Sequence, residues 1–239
     1  MTDQPTPTTA GVSCFTIPRT LASPKDFDTL VEKYKSFRLL SLQLSPESFG
    51  STYAREAAFT PEAWTSRITN LLATTIVAVS DPPEPARTKE AEPLLSHEWL
   101  ASLTLIGPLE PSKAHTMFQT ELPTDSKVVD FNGSGDGGMK WHYILNAMYV
   151  VPLARGRGIS GEILKFAKKT AKREVRGNPM RILLVVDHDN EAAQHTYKRA
   201  GFEEVHRYTI DAVRVGRDSK TKAVVMRWDL EAPRLNTLP

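Results

Sequence analysis

Residues 150–161, Val-Val-Pro-Leu-Ala-Arg-Gly-Arg-Gly-Ile-Ser-Gly, constrain this chain more than any other stretch. Apolar residues up to Val151 end a strand, Gly156, Gly158 and Gly161 punctuate a turn, and an amphipathic run follows. On that run Ile159, Ile163, Phe166, Ala167 and Thr170 share one helical face, so a helix begins near Ser160. Glycine lets the main chain approach a ligand and aim successive N–H groups the same way. A helix N-terminus adds donors without partners and a partial positive charge. Arg155 and Arg157 bring two guanidiniums to the same turn. The combination suits a pyrophosphate seated between a strand and a helix.

The rest of the composition narrows the class. A chain of 239 residues with 40% hydrophobic content can bury a full core, in one large domain or two small ones. The net charge of +2 gives no reason to expect nucleic acid as a partner. The single cysteine, Cys14, excludes an intramolecular disulfide, fits a reducing compartment, and reads as a small apolar core residue. No apolar run is long enough to span a membrane, and the N-terminus lacks the charged-then-apolar pattern of a secretory signal. A cytoplasmic or nuclear protein is therefore expected.

Residues 1–11 are expected to be a flexible tail and 233–239 a frayed end, with one domain over 12–232. Strands are predicted over 12–19, 74–79, 99–106 (closed by Gly107-Pro108), 141–151, 181–186, 202–210 and 223–230. Ser23-Pro24, Ser45-Pro46 and Thr60-Pro61 are three helix starts, each a capping hydroxyl followed by proline. A further helix is predicted over 190–200, stopped by Gly201. The Pro-rich stretch near 81–97 and the polar, glycine-rich stretch near 107–140 are expected to be long loops.

Gly156-x-Gly158-x-x-Gly161 also fits a dinucleotide fingerprint, with Asp187 closing the next strand. Two features oppose that reading. Residues 151–154 separate the strand from the first glycine, and only about 80 residues follow, too few for the usual parallel sheet. A second motif decides the matter. Asn190-x-x-Ala193-x-x-x-Tyr197-x-x-x-Gly201-Phe202 follows the strand Leu184-Val185-Val186. Together with Val150-x-Pro152-x-x-Arg155-Gly156-x-Gly158-Ile159, it resembles the GNAT superfamily of acyl-CoA-dependent N-acetyltransferases. The strong resemblance covers 146–208; Leu44 to Tyr53 and Trp64 look like the lid helices of some members.

The resemblance implies a single α/β (α+β) domain with a mixed, mostly antiparallel sheet of about six to seven strands flanked by helices and splayed at the cofactor site. It implies acetyl-CoA as co-substrate, no metal, and an amine acceptor, with a small molecule preferred over a protein lysine or N-terminus. The main chain of Met148, Tyr149 and Val150 would hold the pantetheine arm. The turn Arg155, Gly156, Arg157, Gly158, Ile159, Ser160 and Gly161 would hold the pyrophosphate, although relatives usually carry Gly or Ala where Ser160 stands. Asn190 would bond the pantetheine and cap its own helix. Tyr197 would be the general acid for the departing thiolate. No family base maps cleanly, since the candidate positions read Ile144, Asn146 and Val185. His142, expected to share a strand face with Ile144, Asn146 and Met148, is one candidate base. Glu56 is another, and a water held by Asn146 a third. A catalytically silent CoA-binding regulator is the alternative of another class. The basic run Lys165 to Arg176 reads as a solvated helix face, with one member available to the 3′-phosphate of CoA.

Overall fold

A computed structural model of the chain describes residues 11–80, 91–119, 138–210 and 221–231. The expected tails at 1–10 and 232–239, and the loop segments 81–90, 120–137 and 211–220, lie outside the described residues.

Among the described residues seven strands form one sheet in the order β1-β2-β3-β4-β5-β7-β6. They are β1 (Val12–Thr16), β2 (Ala73–Ser80), β3 (Trp99–Leu109), β4 (Trp141–Val150), β5 (Met180–Asp187), β6 (Glu203–Ile210) and β7 (Thr221–Leu230). All neighbours run antiparallel except β4 and β5, which are parallel. Among the described residues seven helices flank the sheet: α1 (Pro24–Leu44), α2 (Tyr53–Ala57), α3 (Pro61–Thr69), α4 (Glu92–Ser96), α5 (Pro111–Gln119), α6 (Ile159–Glu174) and α7 (Glu191–Arg199).

The helix starts form where the sequence places them. The hydroxyls of Ser23 and Thr60 accept the N–H groups of Asp26 and Ala63, and proline occupies the first turn of α1 and α3. Ser45-Pro46 opens only a 3₁₀ turn, Pro46–Ser48. Elsewhere the elements differ from expectation, and β1 ends at Thr16, short of residue 19. β3 continues through Gly107-Pro108 to Leu109, and Gly107 is required there because a Cβ would lie 2.6 Å from the Tyr143 ring. The stretch near 107–140, expected as loop, contains α5, whose Ala114 and Phe118 pack beside Ile144 and Leu183. Within the stretch near 81–97, α4 is likewise helical.

The two faces of the sheet are covered differently. On one face Ile76, Leu103, Leu105, Leu145 and Leu184 form a continuous apolar layer with Ile159, Ile163 and Ala167 of α6. The opposite face is divided. Val77, Val79, Trp99 and Tyr149 pack with Leu30, Phe37 and Trp64 of the α1–α3 group. Ile144, Leu183 and Val225 pack with α5 as a separate cluster.

β4 carries a bulge. Ser102 pairs with Tyr149 but Thr104 with Asn146, so β4 holds one extra residue, and Ala147 takes a left-handed φ of 54°. The period-two expectation fails at this point. Met148 and Val150 join Tyr143 and Leu145 on the α6 face, while Tyr149 turns to the α1 face. Met148 therefore does not share a face with His142, Ile144 and Asn146.

Candidate functional site

β4 and β5 pair only from Trp141↔Met180 to Ile144↔Leu183. Beyond this point β4 runs on to Val150 and β5 to Asp187 without mutual pairing. The expected splay is present, and it leaves main-chain groups along both inner edges without a ladder. It opens just where the bulge disrupts β4.

Each arm of the fork leads into a helix. β4 passes through a 3₁₀ turn, Pro152–Ala154, to α6, and β5 leads into α7. Gly156 and Gly158 have φ of 77° and 80°, which explains glycine at both positions. Gly158 caps α6 without a side-chain bond. The N–H of Arg155 donates to the Pro152 carbonyl, and those of Gly161 and Glu162 donate to the Gly158 carbonyl. Between them, the N–H groups of Gly156, Arg157, Gly158, Ile159 and Ser160 find no acceptor among the described residues. Five consecutive donors at a helix N-terminus are a ready anion site. Gly161 is different: its φ is ordinary, and a Cβ there would meet nothing within 4 Å. The fold alone gives no reason for glycine at 161.

The arginines of the turn divide their tasks. Arg155 donates from Nε to the Val150 carbonyl at 3.1 Å and from Nη2 to Ser45 Oγ at 3.0 Å. It braces the turn against the end of α1 instead of standing free for phosphate. Arg157 is exposed. Of the basic run on α6, Lys168 turns inward, donates to the Ala200 carbonyl and lies over the rings of Phe202 and Trp228. Burial pushes its ammonium down to about 8, while the carbonyl and the two ring faces favour the charged form. Its task is to fasten α6 to the end of α7, a packing role that charge pattern alone does not reveal.

Asn190 caps α7: its Oδ1 accepts the Ala193 N–H at 3.1 Å. Tyr197, one to two turns on, is buried in the same apolar cluster as Val150, Ile159 and Val186, edge-on to Phe202. Burial raises its hydroxyl above the ordinary tyrosine value, so it stays protonated at neutral pH. Tyr197, Asn190, the glycine turn and the free edge of β4 thus gather at the fork.

The two candidate bases do not join them. His142 is buried at the start of β4, opposite Leu109 and Arg181. It lies roughly 13 Å along the strand from Asn146, at about 3.3 Å per residue. Glu56 is 1% exposed and held by two arginines: Arg38 Nη2 and Nε at 2.8 and 3.1 Å, and Arg67 Nη1 at 2.7 Å. Burial alone would raise its carboxyl, but the bonds and charges of Arg38 and then Arg67 overcome this and bring it down to about 2. A carboxylate so held locks α1, α2 and α3 together and is a poor proton acceptor. Asn146 does stand at the fork. Among the described residues no group of three or more His, Cys, Asp or Glu is placed to hold a metal ion, and no helix is long and apolar enough to cross a membrane.

The profile of the acetyltransferase (GNAT) family matches residues 88–202, from before β3 to just past α7. An uncharacterised N-acetyltransferase of Bacillus subtilis, YhfO, is 38% identical over 66 residues, which is 28% of this chain and 42% of that protein. The match thus spans less than half the length of that relative. Among solved structures, Arabidopsis thaliana NAA60 in complex with acetyl-CoA superposes with a TM-score of 0.55 at 16% identity, covering 92% of this chain and 98% of that one. The ribosomal-protein-S5-alanine acetyltransferase of Vibrio fischeri gives 0.56 at 13% identity, covering 96% of both chains. The spermidine N-acetyltransferase of Vibrio cholerae, with CoA and spermine, gives 0.52 at 10% identity, covering 92% of this chain and 96% of that one. At these identities the likeness is one of fold. The fork, the bulged strand and the glycine turn with its free donors all fall within residues 88–202, the stretch of this chain that matches the acetyltransferase (GNAT) family.

Proposed function

We propose that the protein transfers the acetyl group of acetyl-CoA to a primary amine, preferably of a small molecule, by direct attack within a ternary complex. The observation that carries this reading is the run of five donor N–H groups from Gly156 to Ser160 beside an opened pair of parallel strands. Those donors would hold the pyrophosphate, with the Ser160 hydroxyl in reach of the same group. The main chain of Met148, Tyr149 and Val150 along the free edge of β4 would hold the pantetheine arm, joined by the Asn190 side chain. Gly161 then has a reason: open space over the first helical turn admits the ligand.

Chemistry follows from position. The amine nitrogen forms a bond to the acetyl carbon as the carbon–sulfur bond breaks. The departing thiolate takes a proton from the Tyr197 hydroxyl, which burial keeps protonated. The proton lost by the amine passes to a water held at Asn146, because Glu56 is committed to Arg38 and Arg67 and His142 lies at the far end of β4. Free backbone donors in the fork would polarise the thioester carbonyl. A polypeptide acceptor is the second reading, favoured by the likeness to the ribosomal-protein acetyltransferase.

The test is release of free thiol from acetyl-CoA in the presence of amines, with mass spectrometry of the acetylated product. Turnover that depends on the amine supports the reading. CoA binding with no thiol release on any amine would leave a silent CoA-binding regulator, and no CoA binding would remove the reading altogether.

A further inference from the structure

The face of the sheet opposite α6 carries a polar row between its two apolar clusters. Thr75 pairs with Thr104 across β2 and β3, and Thr104 with Asn146 across β3 and β4. The two threonine hydroxyls are 3.2 Å apart. Ser102, one step along β3 on the same face, pairs with Tyr149. Ser102, Thr104 and Asn146 occupy the central strands, yet each keeps partial exposure, while Ala101, Leu103 and Leu105 on the other face are buried. Helices α1–α3 cover the sheet on one side of this row and α5 covers it on the other. The row ends at Asn146, where the fork opens. A solvent-reached groove with a hydroxyl and amide floor therefore leads to the fork from the side away from α6.

The charge along its α1 side is cationic. Arg38 and Arg67 share the single carboxylate of Glu56, and Arg155, near the Tyr149 ring, ends on neutral acceptors. Exposed Glu47, which also acts on Tyr149, is one carboxylate against this excess. The floor itself offers neutral donors and acceptors and no carboxylate. A second ammonium on the acceptor would meet the guanidiniums of Arg38, Arg67 and Arg155 with only Glu56, already bound by two of them, and Glu47 to offset them, whereas a carbonyl oxygen would find donors in the hydroxyls and the Asn146 amide.

Resting on the acetyl-transfer reading, we infer that this groove selects an amine with a neutral carbonyl beside it, an α-amino amide, and rejects polyamines. That chemistry is shared by free amino-acid amides and by polypeptide N-termini. Thr104 is the specificity-determining side chain at the middle of the floor.

The experiment compares kcat/KM for leucinamide, a short peptide with a free N-terminus, butylamine and spermidine, and measures calorimetric binding of leucinamide and spermidine to the CoA-loaded protein. Expected is a preference of tenfold or more for leucinamide over spermidine in both measurements. Thr104→Val should lower the ratio of leucinamide to butylamine about tenfold, and Thr104→Ser should restore it. If the peptide outpaces leucinamide, the source is a polypeptide; if the reverse, a small molecule. Selective binding without turnover sinks acetyl transfer but keeps the groove. Spermidine equal to or better than leucinamide, or a Thr104→Val variant with an unchanged ratio, overturns the groove assignment while leaving acetyl transfer intact.

Discussion

Glu56→Gln separates a structural carboxylate from a catalytic one. The side chain is 1% exposed and accepts three bonds from Arg38 and Arg67, which join α1, α2 and α3. Held at about 2 instead of 4.5, the carboxyl contributes about 3 kcal/mol to folding at neutral pH, at ~1.4 kcal/mol per pH unit. The sign follows from proton binding. Between pH 4.5 and 2 the unfolded chain takes up a proton that the folded chain refuses, so the contribution is complete above 4.5 and fades as pH falls toward 2. Glutamine keeps the shape and removes the charge, leaving two guanidiniums facing each other. Breaking a buried pair in this way costs about 3–5 kcal/mol, so the two routes agree. For a chain of this size that is a melting temperature lowered by roughly 6–20 °C at pH 7. At pH 3 the gap between variant and wild type should shrink by more than half. Thermal melts at both pH values read the effect, with thiol release assayed well below the lower midpoint. A variant that melts like the wild type yet turns over a hundredfold more slowly would refute the locking role and restore Glu56 as the base.

Tyr197→Phe should fold normally and lose roughly 10²–10⁴ in kcat, because a proton donor and not a packing group is removed; wild-type turnover under chemistry-limited conditions excludes the acid role. Gly161→Ala should act with opposite signs on fold and ligand. Alanine is worth about 0.5–1 kcal/mol in a helix and meets open space here, so the melt rises while CoA affinity falls; unchanged affinity by calorimetry would remove Gly161 from the cofactor site. Tyr149→Phe should be neutral or stabilising by about 1 kcal/mol, since the buried Tyr149 hydroxyl has no hydrogen-bond partner among the described residues. A destabilised variant in urea titration would show that the hydroxyl is satisfied after all.

What the sequence determined alone was local and repeated at short range. Caps at Ser23, Thr60 and Asn190 depend on a side chain reaching an N–H three residues on, so a few adjacent letters suffice. The strand–glycine–helix turn is likewise written within a dozen residues, and the run of donor N–H groups expected of it is present at 156–160. α5 escaped notice because its apolar contacts, Ala114 and Phe118, are few and sit in a polar stretch.

Tertiary structure alone decided what depends on partners distant in sequence. The bulge at Ala147 is visible only against β3, and it turns Met148 and Tyr149 to faces that strand periodicity does not predict. Glu56, a plausible base as a letter, became a buried lock when α1 and α3 each brought an arginine to it. Lys168, one cation in a basic run, became the clasp for α7. A carboxylate or an ammonium has no fixed role in sequence, because its proton affinity is set by the charges and the burial that folding gathers around it.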